Sequence, residues 1–181
     1  MMTLRRFQIL KLIHLVIFIT GLSIILSLFS DTAIAQENPT PTGHAVSIHV
    51  GPLLPNSIGA TDEILNAKGF RYGYPLAEST LLEGGYTQSD SKGISLGDLN
   101  LSLRGDFPFQ DLFLFGLLGA DLLRIKGAGK PDYTYYGSFH AGGGLLAHIA
   151  DTLFLRMEMR FNFHPGTILF FGFGFEYRFG N

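Results

Sequence analysis

Two stretches decide the fold: Thr-Leu-Phe-Leu-Arg-Met-Glu-Met-Arg-Phe-Asn-Phe at 152–163 and Thr-Ile-Leu-Phe-Phe-Gly-Phe-Gly-Phe-Glu-Tyr-Arg-Phe at 167–179. Successive side chains of an extended strand point to opposite faces. In the first stretch Leu153, Leu155, Met157, Met159, Phe161 and Phe163 share one face, and Phe154, Arg156, Glu158, Arg160 and Asn162 share the other. In the second, Leu169, Phe171, Phe173, Phe175, Tyr177 and Phe179 oppose Gly172, Gly174, Glu176 and Arg178. Each stretch therefore predicts a strand with one greasy and one charged side. Each is also long enough for the roughly 9–11 residues that a tilted strand needs to cross hydrocarbon.

The same period of two continues upstream and predicts about eight strands in all. Leu99, Leu101 and Leu103 oppose Asn100, Ser102, Arg104 and Asp106. Phe139, Ala141, Leu145, Ala147 and Ile149 oppose Ser138, His140, Gly142, Gly144 and His148. Weaker alternation marks 44–51, 70–76 and 82–87. Segment 112–125 is apolar on both faces, and Asp121 assigns Leu118, Ala120 and Leu122 to the outside. Turn signals lie at Pro75, Phe107-Pro108, 127–131, Ala150-Asp151 and 164–166. The one long connection is 51–69, with Pro52, Pro55, Asn56, Gly59 and Gly69. Its Leu53, Leu54, Ile58, Ile64 and Leu65 fit either a lid folded over a barrel mouth or an ordinary exposed loop.

The N-terminus reads as an export signal. Arg5, Arg6 and Lys11 precede a long apolar run, and Ala33-Ile34-Ala35 forms a small-x-small cleavage site. The expected organisation is a cleavable signal peptide at 1–35, a short lead at 36–43 and one domain at 44–181. A retained membrane anchor is the alternative, because the run is long enough to span a bilayer. Beyond residue 35 the chain keeps ten basic and fourteen acidic residues, a net charge of −4. That composition argues against a nucleic-acid partner, which calls for a basic stripe. The chain has no cysteine, so disulfides and thiolate metal sites are excluded. Charged residues make up only 15 %, against roughly 25 % in soluble domains.

An apolar, aromatic chain with few charges requires an unusual solvent, and lipid is one. Strands in lipid must close into a barrel, since hydrocarbon cannot satisfy a free edge. The fold expected is an all-β, closed antiparallel transmembrane barrel. A soluble periplasmic barrel with Phe and Leu turned inward is the rival. Three features favour the membrane. The mature lysines (Lys68, Lys92, Lys126 and Lys130) all fall at strand ends or loops. Arg71, Arg104, Arg156, Arg160 and Arg178 nearly balance Glu83, Asp106, Asp121, Glu158 and Glu176, as a packed ionic interior requires. Aromatics also gather at the strand ends like interfacial girdles: Phe70, Tyr86, Tyr133, Tyr135, Phe161 and Phe163 at one end, Tyr74, Phe107, Phe109, Tyr177 and Phe179 at the other.

The ending Gly174-Phe175-Glu176-Tyr177-Arg178-Phe179 resembles the G-x-x-aromatic-x-aromatic signal that outer-membrane barrels present to the bacterial assembly machinery. It departs from that pattern at Gly172, where a polar residue is usual, and in Gly180-Asn181 beyond the final Phe. The mature chain resembles small outer-membrane β-barrels of the OmpA, OmpX and OmpW kind. The resemblance implies a Gram-negative outer-membrane location, contact with outer-membrane lipids and assembly machinery, and Gly174, Tyr177 and Phe179 as assembly residues. It does not choose among anchors, narrow pores, adhesins and enzymes.

The leading expectation is a non-catalytic structural or loop-presenting barrel without cofactor or metal. A narrow channel lined by the interior charges is the second reading. The third is a lipid-acting enzyme. Some barrels of this kind use a His-x-Ser pair, and Ser138-Phe139-His140 carries the reverse order. His44 and His49 fall on opposite faces and predict no shared metal site.

Overall fold

The computed structural model describes residues 43–56, 63–91, 93–109 and 112–180. The expected signal peptide, its cleavage residues Ala33 and Ala35, and all of the 36–43 lead except Gly43 lie outside the described residues, as do Ile58 and Lys92. Eight strands follow one another: β1 His44–Asn56, β2 Leu65–Ala77, β3 Thr80–Ser91, β4 Ile94–Phe109, β5 Leu112–Lys126, β6 Thr134–Ala150, β7 Leu153–Asn162 and β8 Thr167–Phe179. Each pairs antiparallel with its sequence neighbour, and β1 closes on β8, so the barrel has no free edge. One end carries the tight connections 78–79, 110–111 and 151–152. The opposite end, called here the loop end, carries 57–64, 92–93, 127–133 and 163–166.

The strand faces follow the parity of the sequence. Arg156, Glu158, Arg160 and Asn162 of β7 point inward and are buried, while Met159 is 42 % exposed. Leu118 on β5 is 67 % exposed and Asp121 is buried, so the doubly apolar segment has the parity that Asp121 indicated. Met157 points outward yet is buried, flanked by Leu145 and Phe173 on the adjoining strands. On β4 the exposed face runs from Leu99 to Phe109. Ten steps of about 3.3 Å, tilted by about 40°, give a height of about 25 Å, that of a membrane barrel's apolar band.

The strands run further than the turn signals suggested. Residues 51–69 are not one long loop, because β1 extends to Asn56 and β2 begins at Leu65. Leu53 and Leu65 are a cross-strand pair whose buried side chains fill the barrel. They form no lid, and Ile64 is exposed. The prolines fit because the ladder is incomplete around them. Pairing of β1 with β8 skips Gly51 and Pro52 and resumes at Leu53, and pairing with β2 ends at Leu53, before Pro55. The same explanation holds for Phe107-Pro108, which belongs to β4. Pairing with β3 has already ended at Gly105, leaving Pro108 bonded on one side. Pro75 lies at the irregularity that shifts β2 against β3, three residues ahead of the true turn.

Candidate functional site

The barrel interior is stacked in three zones. At the loop end, Leu53, Leu65, Ala67, Ile94, Leu96, Leu123, Ile125, Ile168 and Phe170 form one buried apolar cluster drawn from β1, β2, β4, β5 and β8. Near the opposite end Phe113, Phe115, Leu117, Leu146 and Phe154 form another on β5–β7. Between them lie the charges. Five arginines and six carboxylates point inward, and none of these residues is more than 7 % exposed.

The charges interlock across the barrel. Arg156 on β7 donates to Glu83 at 2.8 and 3.0 Å, to Glu176 at 2.8 Å and to Glu158 at 2.9 and 3.2 Å. Arg104 on β4 donates to Asp106 at 2.6 Å and to both Glu83 and Glu176 at 2.7 Å. Arg178 joins Glu176 at 2.6 Å to Asp106 at 2.7 Å. Arg71 grips Glu158 with both terminal guanidinium nitrogens. The planar guanidinium suits such bridging, since its donors fork toward two carboxylates at once. The Phe115 ring lies 4.4 Å from the Arg104 guanidinium carbon and 4.7 Å from that of Arg156, so it stacks against both cations. Gly144 makes room for it: a Cβ there would fall 2.6 Å from the ring and 1.9 Å from the Met157 carbonyl oxygen.

Of the ten residues expected in the network, Arg71, Glu83, Arg104, Asp106, Arg156, Glu158, Glu176 and Arg178 meet as one connected group. Arg160 stands apart and pairs with Asp98, which sequence reasoning missed. The alternation that began at Leu99 in fact reaches back to Ile94, and that extension would have turned Asp98 inward. Asp121 touches no arginine within ion-pair range among the described residues; it faces His140. A smaller polar cluster, His49 on Thr87 at 3.0 Å, lines the β1–β3 wall.

The pair Ser138/His140 does not form. The Ser138 hydroxyl donates to the Phe139 carbonyl at 3.3 Å, while His140 Nε2 lies 2.8 Å from Ser102 Oγ. His140 Nδ1 is 2.8 Å from Asp121 Oδ1 but out of line for a hydrogen bond. The order serine, imidazole, carboxylate is that of a nucleophilic relay. Here Ser102 and His140 are both buried inside the barrel, away from its outer face. Their position suits wall packing.

The expected assembly residues lie at the seam. Gly174 sits against β1, where a Cβ would fall 1.8 Å from the Ile48 carbonyl oxygen. Tyr177 and Phe179 face outward near the turn end and stack on each other. His44, Tyr72 and Tyr74 complete this aromatic patch, with the Tyr72 hydroxyl 2.7 Å from His44 Nδ1.

No known protein family matches the sequence, and no curated protein matches it. Solved structures do match. Neisserial surface protein A aligns at 14 % identity and TM-score 0.67, covering 76 % of this chain and 98 % of that one. The N-terminal β-barrel domain of Pseudomonas aeruginosa OprF aligns at 15 % and 0.57, covering 75 % and 97 %. The outer-membrane protein OprG of the same organism aligns at 11 % and 0.58, covering 81 % and 100 %. The chain thus has the fold of small outer-membrane β-barrels: eight antiparallel strands, closed, with an apolar outer surface.

Proposed function

We propose that this chain is an integral outer-membrane barrel whose role is structural: it holds a rigid cylinder in lipid and presents the connections 57–64 and 127–133 outside the cell. One observation carries the reading. The apolar side chains face out around a buried, largely interlocked set of charges. A soluble barrel would reverse this arrangement. A conduit would need water along its axis. Here the buried cluster at the loop end and the interlocked arginines occupy that space. The interior serves as a core, and the narrow-channel and enzyme readings gain no support from it.

On this reading residues 1–35 direct export and are removed after Ala35. Gly174, Tyr177 and Phe179 guide insertion by the barrel assembly machinery. Outer-membrane lipids surround the finished barrel. That one similar fold belongs to a neisserial surface protein fits display at the cell surface. Membrane fractionation joined to gel mobility tests the proposal. The expected product is a mature chain in the outer membrane that migrates fast unboiled and slower after boiling. It should also leave planar bilayers electrically silent. A soluble periplasmic product, or discrete conductance steps, would refute it.

A further inference from the structure

The outer surface of β3–β5 carries a second site, distinct from the interior. Arg124 and Lys126 point outward at the loop end of β5 and converge on one aromatic ring. The Arg124 guanidinium carbon lies 4.6 Å from the Tyr133 ring centroid, and the Lys126 ammonium lies 5.6 Å from it. Arg124 also donates to the Tyr86 hydroxyl at 3.4 Å. Both groups sit over Gly97 on β4, where a Cβ would fall 2.9 Å from the Tyr86 oxygen and 3.5 Å from Arg124 Nε. The glycine therefore opens a seat in which the guanidinium is held. No carboxylate pairs with either cation among the described residues, and Asp132, next to Tyr133 in sequence, does not reach them. Two fixed, unpaired cations on one ring repel each other unless an anion joins them.

An apolar notch lies directly beneath. Strand pairing puts Tyr86, Leu99 and Leu122 in the row below the cations and Gly84, Leu101 and Ala120 in the next. Gly84 and Ala120 are small, and they leave an open groove of about 540 Å³ on the outer face, lined chiefly by Phe70, Gly84, Tyr86, Leu99, Leu101 and Ala120. A Cβ at Gly84 would approach nothing nearer than 4.0 Å. Four residues separate Arg124 from Ala120, about 13 Å along the strand. A charged head and a hydrocarbon chain, linked at that spacing and aligned along the membrane normal, describe a phosphate-bearing lipid.

We propose that this surface binds an anionic membrane lipid, its phosphate on Arg124 and Lys126 and one acyl chain in the notch over Gly84 and Ala120. Arginine holds phosphate through two parallel hydrogen bonds, and cations at this height meet lipid headgroups. The site deepens the membrane-barrel reading and rests on it.

Native mass spectrometry of the full chain, released from detergent with equimolar phosphatidylglycerol and phosphatidylcholine, tests the site. Phosphatidylglycerol should be retained about thirtyfold over phosphatidylcholine, as two headgroup-level cations imply. Arg124→Gln with Lys126→Gln should bring the ratio near one and Lys126→Gln alone should lower it, whereas Lys68→Gln, the same single-charge change three strands away on β2, should leave it. Ala120→Phe should fill the notch and lower phosphatidylglycerol retention, with no effect on binding of soluble glycerol phosphate. An equal loss in Lys68→Gln would reduce the site to diffuse charge and overturn it. So would Ala120→Phe without effect, which would mean an anion site with no chain pocket. Fast migration of each unboiled variant shows that the barrel is intact. Loss of that band in the unsubstituted chain would sink the barrel reading instead.

Discussion

Arg156→Met is the most informative single change. Arg156 is buried and touches Glu83, Glu158 and Glu176, while methionine keeps much of its length and none of its charge. Removing one partner of a buried ion pair costs roughly 3–5 kcal/mol, because the other charge stays uncompensated. Here the three acids keep other partners: Arg104 for Glu83 and Glu176, Arg71 for Glu158. Against that, the interior already holds one more carboxylate than arginine and would then hold two more. A loss of about 4 kcal/mol follows, nearly a thousandfold in the folding equilibrium. Urea titration of barrels refolded in vesicles measures it, read by circular dichroism and by the mobility of unboiled samples, since the chain has no tryptophan. Adding Glu176→Gln should recover part of the loss, with a coupling of about 1–3 kcal/mol. If Arg156→Met cost less than about 1 kcal/mol, the value of a solvated pair, the interior would be a wet lumen and the reasoning would fail.

Three further outcomes are expected. Leu118→Arg places a charge on the exposed apolar face of β5 and should destabilise the barrel in vesicles by about 2–4 kcal/mol; a neutral result in urea titration would indicate water outside. Gly144→Ala drives a Cβ to within 1.9 Å of the Met157 carbonyl oxygen, so the compact unboiled band should be lost or sharply weakened. Ser102→Ala strips His140 Nε2 of its partner and should cost about 1–3 kcal/mol in the same titration; loss of a lipid-cleaving activity in this variant would revive the enzyme reading.

How much was legible in the sequence varies along the chain. Strand parity was, because a residue such as Arg156 between Leu155 and Met157 fixes which face is which over a whole strand. That parity brought Arg71, Glu83, Arg104 and Glu176 to one side of the sheet before any pairing was known. Strand length was less legible. Pro52, Pro55 and Pro108 read as breakers, yet each sits where one neighbouring ladder has stopped or skipped, so no hydrogen bond is lost. Such gaps depend on partner strands that a single sequence does not reveal. Truncating β1 at residue 51 hid the inward role of Leu53, and starting β4 at Leu99 hid Asp98. The partner of His140 was equally out of reach. Ser138 is close in sequence, but Ser102 and Asp121 arrive from β4 and β5, the two strands before β6 in the sheet, in a register that a single sequence does not reveal. The cation pair on Tyr133 escaped for a similar reason, since Tyr86 and Gly97 complete it from two other strands.

Which way the wall faces can be measured at adjacent positions. The chain has no native cysteine, so Leu101→Cys and Ser102→Cys each introduce one label site. For the barrel in vesicles, a spin label at 101 should collide with oxygen dissolved in the lipid and escape a water-soluble nickel complex. The thiol at 102 should resist a charged maleimide until the protein is unfolded. Rapid modification of position 102 by that maleimide in the folded barrel, with position 101 shielded from lipid-borne oxygen, would contradict the arrangement described.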